Sequence, residues 1–402
     1  MTPADALPLT QWIIGQGLEG TPETRFLDGL CERLKAAGMP LLRVNLCLPT
    51  LHPVIGGHLF IWRRDQPAAV EEDWGRNVAA AGGDASVTPF GHMMQTRETA
   101  YRARLSGNEP SEFRMLDRFR SEGATDYLAL QTIFGEAHRL GPANRVLTSW
   151  LTDAPGGFDE KHVALVEQIA PAIGLAAKSA STLRVARSLI EAYLGKDPGQ
   201  RVLSGTIERG AGETIRAALW SCDLQGFTKI ADKTPRDRLL SLMHDYFETM
   251  VTTIDEHDGH VLKFIGDGIL AIFNTGDDVK NCRAALAAAD RVIGRVTELT
   301  AKRQAEGLPF TRFYIGLHIG DVLYGNIGAP NRLDFTVIGP AVNEVSRMEA
   351  MCRALDQDLV ISSAFAKVAR NSSDRLVSLG RYALRGVRQP QELFTLAPAE
   401  GG

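Results

Sequence analysis

An aspartate sits between two glycines in Gly266-Asp267-Gly268, directly after the short apolar run Val261-Leu262-Lys263-Phe264-Ile265. The pattern predicts a β-hairpin. Residues 261–264 form one strand, 266–268 the turn and 269–273 the returning strand. The glycines permit the tight backbone and leave the Asp267 carboxylate at the tip. A second carboxylate, Asp223 in Ser221-Cys222-Asp223-Leu224-Gln225-Gly226-Phe227-Thr228, closes the nearly continuous apolar strand 215–222. Two hard oxygen ligands at the tips of neighbouring strands suit Mg²⁺ and a polyphosphate. Either aspartate alone reads as an ordinary turn or cap carboxylate, so the pair is the signal.

The elements that must position this pair are legible from Thr214 onward as strand, helix, hairpin, helix, hairpin, helix, strand. Residues 235–257 and 279–306 are amphipathic helices. Residues 310–319 and 322–327 are predicted to pair around a turn at Gly320-Asp321. The sum is an α+β fold built on one sheet. Upstream, Phe26, Leu27, Leu30 and Leu34 predict a helix over 21–38, with Gly38 as its stop. Residues 41–48, 58–63, 126–134 and 145–152 read as strands, while 64–125 is too polar and patchy to assign. After Ala154-Pro155-Gly156-Gly157, with Asp159 as cap, a long helix runs to Leu194. Val166, Ile169, Ile173, Ala176, Ala180, Leu183, Ile190 and Leu194 alternate at three and four, counting Arg187 as the polar member. That seam allows a parallel two-helix coiled coil, packing on the helix's own sheet, or half of each. Pro171 is a candidate kink. Gly195-Lys196-Asp197-Pro198-Gly199 ends the helix, and the turn-rich stretch 200–213 marks a boundary.

A chain of 402 residues suits two domains. Its formal net charge of −4 gives no electrostatic case for nucleic acid or anionic membrane. Five scattered cysteines without ligand spacing read as reduced, buried thiols. No unbroken apolar run reaches the roughly 18 residues of a membrane span, and Met1-Thr2-Pro3-Ala4-Asp5 lacks the basic start of a signal peptide. The expectation is a cytoplasmic protein with neither a nucleic-acid nor a membrane partner.

Four ordered segments carry a family resemblance. They are Cys222–Thr228, Lys263–Gly268, Gly316-Leu317-His318-Ile319-Gly320, and the run Thr336-Val337-Ile338-Gly339-Pro340-Ala341-Val342-Asn343-Glu344-Val345-Ser346-Arg347. Residues 214–397 resemble the catalytic domain of class III nucleotidyl cyclases, with its ferredoxin-like, palm-type βαββαβ sheet. The resemblance implies that Asp223 and Asp267, with the Leu224 carbonyl, hold two Mg²⁺ or Mn²⁺ ions. It implies that Gln225, Gly226, Phe227 and Thr228 cradle phosphates. Asn343 would orient the ribose, and Arg347 would stabilise charge on the α-phosphate. Arg385, with Arg388 beside it, falls where the family has a phosphate-contacting lysine. Lys263 and Thr336 would read the base, a pair resembling bacterial adenylate cyclases that respond to bicarbonate. His318, in an alternating strand, reads as a core histidine, not a base. Family members pair head to tail, with metal aspartates from one subunit and base, ribose and arginine contacts from the other. One chain carrying both sets implies a homodimer acting on ATP. The alternatives are a guanylate or dual-specificity cyclase, and a non-catalytic sensor or dimerisation protein that keeps the fold.

Residues 1–180 resemble a GAF-type sensory domain at their end, in 155–170, and would bind an unidentified small-molecule effector. Residues 181–213 would be the helical, transducing linker. His52, His58 and His92 are nominal haem or metal ligands but read better as surface or core histidines.

Overall fold

The computed structural model describes residues 3–76, 88–107, 109–135, 141–370, 373–384 and 390–398. The chain divides into two compact units, Met1–Leu189 and Ile190–Gly402. The division falls within a helix and not in the turn-rich stretch 200–213.

The first unit runs α1 (Pro3–Glu19), α2 (Glu23–Ala36), β1 (Arg43–Pro49), β2 (Ile55–Arg63), β3 (Val70–Gly75), α3 (Pro89–Thr96), β4 (Ala100–Arg104), α4 (Arg114–Ser121), β5 (Asp126–Ile133), β6 (Arg145–Thr152) and α5 (Glu160–Leu194). Its described strands form an antiparallel sheet in the order β3-β2-β1-β6-β5-β4. Both faces are covered because β1, β5 and β6 are apolar on both sides. Val44, Leu46, Phe60 and Trp150 pack with α1, α2 and the first half of α5. Tyr127, Ala129 and Leu151 pack with Met93 of α3 and Phe119 of α4.

Of the three courses its seam allows, helix α5 does not pack on its own sheet along its whole length. Val166, Ile169, Ile173 and Ala176 are buried in their own unit's core, while Leu183 is 61% exposed and Tyr193 79%. The helix continues through Pro171 without a break. By length and composition alone it could also cross a bilayer. Its buried first half instead supplies core to the unit, so the apolar stretch has a partner already.

The second unit contains α6 (Lys196–Leu203), β7 (Gly212–Leu224), α7 (Phe227–Lys233), α8 (Arg236–Glu256), β8 (His260–Ile265), β9 (Gly268–Phe273), α9 (Asp278–Ala305), β10 (Phe313–Ala329), β11 (Arg332–Ile338), α10 (Pro340–Leu355), β12 (Leu359–Ser362), α11 (Ser363–Ala369), β13 (Leu376–Tyr382) and β14 (Gln391–Leu396). The described sheet runs β13-β14-β12-β10-β7-β9-β8, with β11 also paired to β10. Its central four strands, β10-β7-β9-β8, are the 4-1-3-2 order of a βαββαβ unit. Helices α8, α9 and α11 cover one face, and α10 packs on the other.

The hairpin expected at Gly320-Asp321 is absent. Strand β10 runs unbroken from Phe313 to Ala329, and its register with β7 is continuous from Phe313↔Leu224 to Gly325↔Gly212. The turn comes later, between β10 and β11, where Ala329 pairs with Arg332. Gly320 serves close packing: a Cβ there would lie 2.6 Å from the Ala341 Cβ on α10. Gly316 makes room for the later turns of the same helix. A Cβ on it would meet the Val345 carbonyl oxygen at 2.6 Å and the Glu349 amide nitrogen at 2.7 Å.

Those are backbone atoms and cannot rotate away. Gly316→Ala is therefore expected to lower stability by about 1–3 kcal/mol through overpacking between β10 and α10. Urea unfolding of the variant against the parent measures the loss.

Candidate active site

Strand β7 is buried from Ala217 on, apart from the half-buried Ser221 and Asp223, and delivers Asp223 next to its end, opposite Tyr314 of β10. The neighbouring hairpin delivers Asp267. Gly266 adopts a left-handed backbone at φ 62°, and Gly268 begins β9 beside β7. A Cβ on Gly268 would sit 2.6 Å from the Cys222 carbonyl oxygen. Glycine at this position is what lets the hairpin tip close on the end of β7. The two carboxyl groups come within hydrogen-bonding reach of each other.

A third carboxylate, overlooked in the sequence, joins them. Glu349 projects from α10 where that helix abuts Gly316, and it feels the charges of both Asp223 and Asp267. Burial, then the Asp267 carboxyl, pushes Asp223 up to about 6. Burial, then the two aspartates, pushes Glu349 up to about 7. No arginine or lysine contributes to either shift. The half-buried Asp223–Asp267 pair, with no counter-charge acting on Asp223, is a donor set that suits Mg²⁺ or Mn²⁺, while Glu349 adds its charge from further off: the three do not bring ligand atoms within 4.8 Å of one another.

Gly226, at φ 66°, turns the chain from β7 into α7. The expected phosphate cradle is narrower than Gln225–Thr228. The Gln225 amide donates to the Arg312 carbonyl at 2.9 Å, and its side chain donates to the Tyr314 hydroxyl at 2.7 Å. Gln225 thus fastens the loop to β10, leaving the amides of Gly226, Phe227 and Thr228 as the candidate donors.

Asn343 and Arg347 lie four apart on α10, with Asn343 exposed and Arg347 partly so. Neither has a hydrogen-bond or ion-pair partner among the described residues. Glu349 stands about 200° around the helix from Arg347. One helix thus presents an acid toward the aspartate pair and an unpaired guanidinium away from it. Within one chain the two halves of the expected site do not converge.

Lys263 of β8 ion-pairs with Asp334 of β11, two positions before Thr336 and on the same face. The Thr336 hydroxyl is buried with no hydrogen-bond partner among the described residues. Such an orphan is costly unless a ligand or water completes it. The sequence pointed to Lys263 and Thr336 but not to Asp334. An acidic residue two before a candidate reader in a strand is the signal that was available. Arg385 and Arg388 lie outside the described residues.

His318 is buried, shares a hydrogen bond with the Ser362 hydroxyl at 2.9 Å and is held below the ordinary histidine value by burial. The N-terminal histidines do not gather with one another, though His58 lies with Glu71 and Asp73, the three offering ligand atoms within 4.8 Å of one another. His52 Nδ1 accepts from the Val54 and Ile55 amides, His58 pairs with Asp73 at 2.6 Å, and His92 lies 3.4 Å from Glu98. All five cysteines are unpaired and buried.

With this geometry in hand, residues 214–398 match the family described as "Adenylate and Guanylate cyclase catalytic domain". An adenylate cyclase of Anabaena cylindrica is 33% identical over 167 residues, covering 42% of this chain and 33% of that protein. An uncharacterised protein of Mycobacterium tuberculosis is 32% identical over 183 residues, 45% of this chain and 33% of its own. The chain thus spans about a third of the length of the curated relatives it matches. Among solved structures, the adenylyl cyclase CyaB from P. aeruginosa shares 21% identity at a TM-score of 0.44, covering 47% of this chain and 97% of that one. The guanylyl cyclase Cya2 shares 26% at a TM-score of 0.41, covering 46% and 91%. Residues 214–398 form a nucleotidyl cyclase catalytic domain.

The raised carboxyls fix the sign of a pH effect. Their protonated forms suit the folded state, so that contribution is complete below ordinary carboxylate values and is lost as pH rises through about 6 to 7. In chelator, Asp267→Asn should melt about 2–4 °C above the parent at pH 8, equivalent to roughly 1 kcal/mol in a domain of this size. The gain should vanish near pH 4. Differential scanning fluorimetry across that range measures it.

Proposed function

We propose that this chain uses its cyclase catalytic domain to convert ATP to 3′,5′-cyclic AMP and pyrophosphate. The observation that carries the reading is the uncompensated cluster of Asp223, Asp267 and Glu349, set on the opposite side of α10 from the unpaired Arg347. The 3′-oxygen of the ribose attacks the α-phosphorus. The 3′-oxygen–phosphorus bond forms, the bond to the β-phosphate oxygen breaks, pyrophosphate leaves and the hydroxyl proton is lost. Two divalent cations, when bound at Asp223, Asp267 and the Leu224 carbonyl, would acidify that hydroxyl and neutralise the phosphates. The Phe227 and Thr228 amides hold phosphate oxygens. Asn343 fixes the ribose, and Arg347 meets the negative charge that grows on the α-phosphate. Lys263 donates to adenine N1, and the orphan Thr336 hydroxyl accepts from the 6-amino group. Asp334 holds Lys263 in place for that contact.

The site is completed between two copies of the chain, because the aspartate pair and the Asn343/Arg347 pair face apart within one. The exposed second half of α5, with Leu183 and Tyr193, supports a paired helix feeding the same symmetry. The first unit is read as a GAF-like sensory domain, supported by its antiparallel sheet with helices on both faces, and it regulates the cyclase through α5. Bicarbonate is the proposed effector at the catalytic domain; unchanged turnover on adding it at fixed pH would remove that assignment.

The purified chain with Mn²⁺ should give cyclic AMP from ATP in excess of cyclic GMP from GTP. Predominant cyclic GMP would overturn the base-reading assignment, and neither product would overturn the catalytic one. Asp223→Ala should abolish turnover, and Arg347→Ala should lower kcat by about 10²–10³-fold. Mixing these two inactive variants tests the shared site. Random pairing makes half the dimers mixed, each with one intact site of two, so activity should return to about a quarter of the parent's. No recovery after subunit exchange would mean that each chain carries its own complete site.

A further inference from the structure

On the face of the first unit's sheet that carries α4, Arg43 of β1 stands directly opposite Arg63 of β2. Like charges in that position destabilise an antiparallel pair. Ordinarily a neighbouring carboxylate would relieve them. Arg43 forms no ion pair among the described residues, and the carboxylates whose charges reach it, Glu122 and Glu72, count for less than burial and the Arg63 charge. Its Nε donates to the Asn45 side-chain oxygen at 2.9 Å, and its guanidinium lies 5.1 Å from the centre of the Phe119 ring. Burial, then the Arg63 charge, holds Arg43 below the ordinary arginine value. Relief for Arg63 is thin: Glu122 lies 3.6 Å away and is itself engaged by Arg118 at 2.9 Å. Arg64, the next cation, is neutralised by a two-pronged pair with Asp153.

The opposed guanidinium groups open on a cavity of about 330 Å³. Its apolar walls are Leu42, Leu151 and the Phe119 ring, and Asp65 and Glu122 are its acidic members. The volume falls at the small end of the range for pockets that take small molecules. Two adjacent forks of N–H donors match the oxygens of a carboxylate or phosphate, which accept them in pairs. The walls want an apolar, preferably flat, body.

We propose that this cavity binds a small organic anion, a carboxylate or phosphate monoester with an apolar body, clamped at its head by Arg43 and Arg63 and packed against Phe119. A pair that costs the sheet stability when empty has its counter-charge in the ligand. This site lies wholly within the first unit and does not depend on the cyclase reading.

Calorimetric titration of the full chain tests it with four probes: benzoate, phenyl phosphate, the uncharged benzamide, and inorganic phosphate. Benzoate or phenyl phosphate should bind once per chain, whichever head the clamp prefers. Benzamide and inorganic phosphate should each bind at least about tenfold more weakly, lacking head or body respectively. Arg43→Gln and Arg63→Gln should each weaken binding by about tenfold or more. Their melting temperatures should equal or exceed the parent's, since each removes the repulsion. Arg43→Lys, which keeps the charge, should retain more affinity than Arg43→Gln and serves if the glutamine variant fails to fold. The proposal is overturned if neither aromatic anion binds below about 10 mM. It is equally overturned if benzamide or inorganic phosphate binds as tightly as the aromatic anions, or if binding survives both glutamine substitutions.

Discussion

Three carboxylates that repel one another organise the second unit. Asp223, Asp267 and Glu349 come from a strand end, a hairpin tip and a helix, and among the described residues no arginine or lysine acts on Asp223 or Glu349. Left to themselves these elements would drift apart by the small distances that relieve charge. They are held by packing that does not yield: a buried central strand, a glycine at Gly268 that admits the hairpin, and a glycine at Gly316 that lets α10 lie on the sheet. The energy of burial in the core is set against electrostatic strain at its rim. A divalent cation bound at the proposed site would turn that strain into affinity.

The same logic explains why glycine recurs at backbone crossings and not only at turns. Gly316 and Gly320 sit within one extended strand, β10, and mark where α10 approaches it. Removal of two side chains lets the helix descend far enough for Glu349 to feel the charge of the aspartate pair. In the first unit the packing is more conventional, with both faces of the sheet covered by helices. Its like charges meet at the strand ends, where Arg43 stands opposite Arg63.

Much of this was legible in the sequence. Strand β7, the Gly266–Gly268 hairpin, both long amphipathic helices and the 160–194 helix follow from apolar periodicity and turn chemistry, which are local. The failures share a different cause. Gly320-Asp321 looked like a turn because glycine beside aspartate usually is one; only the register with a thirteen-residue partner strand shows the chain running straight through. Helix α1 carries weak periodicity, and α3, α4 and α6 are only eight residues long, too short for their apolar spacing to stand out from the turns around them. Glu349 was missed because its importance lies in what α10 rests on, not in spacing. Its position four after the buried Val345, at the flank of the apolar stripe, was the trace left in the sequence. Asp334 escaped for a like reason, since the ion pair with Lys263 joins strands far apart in the chain.

Helix α10 has a further consequence. If two copies pair head to tail, each α10 lends Glu349 to one site and Asn343 with Arg347 to the other. The helix is then a wall common to two rooms. Filling one site fixes the acid edge of α10 and, because the helix is rigid, also the ribose-binding edge offered across the dimer. The two sites would not fill as independent events: a nucleotide bound at the first would alter the odds for the second, with no hinge or lid required.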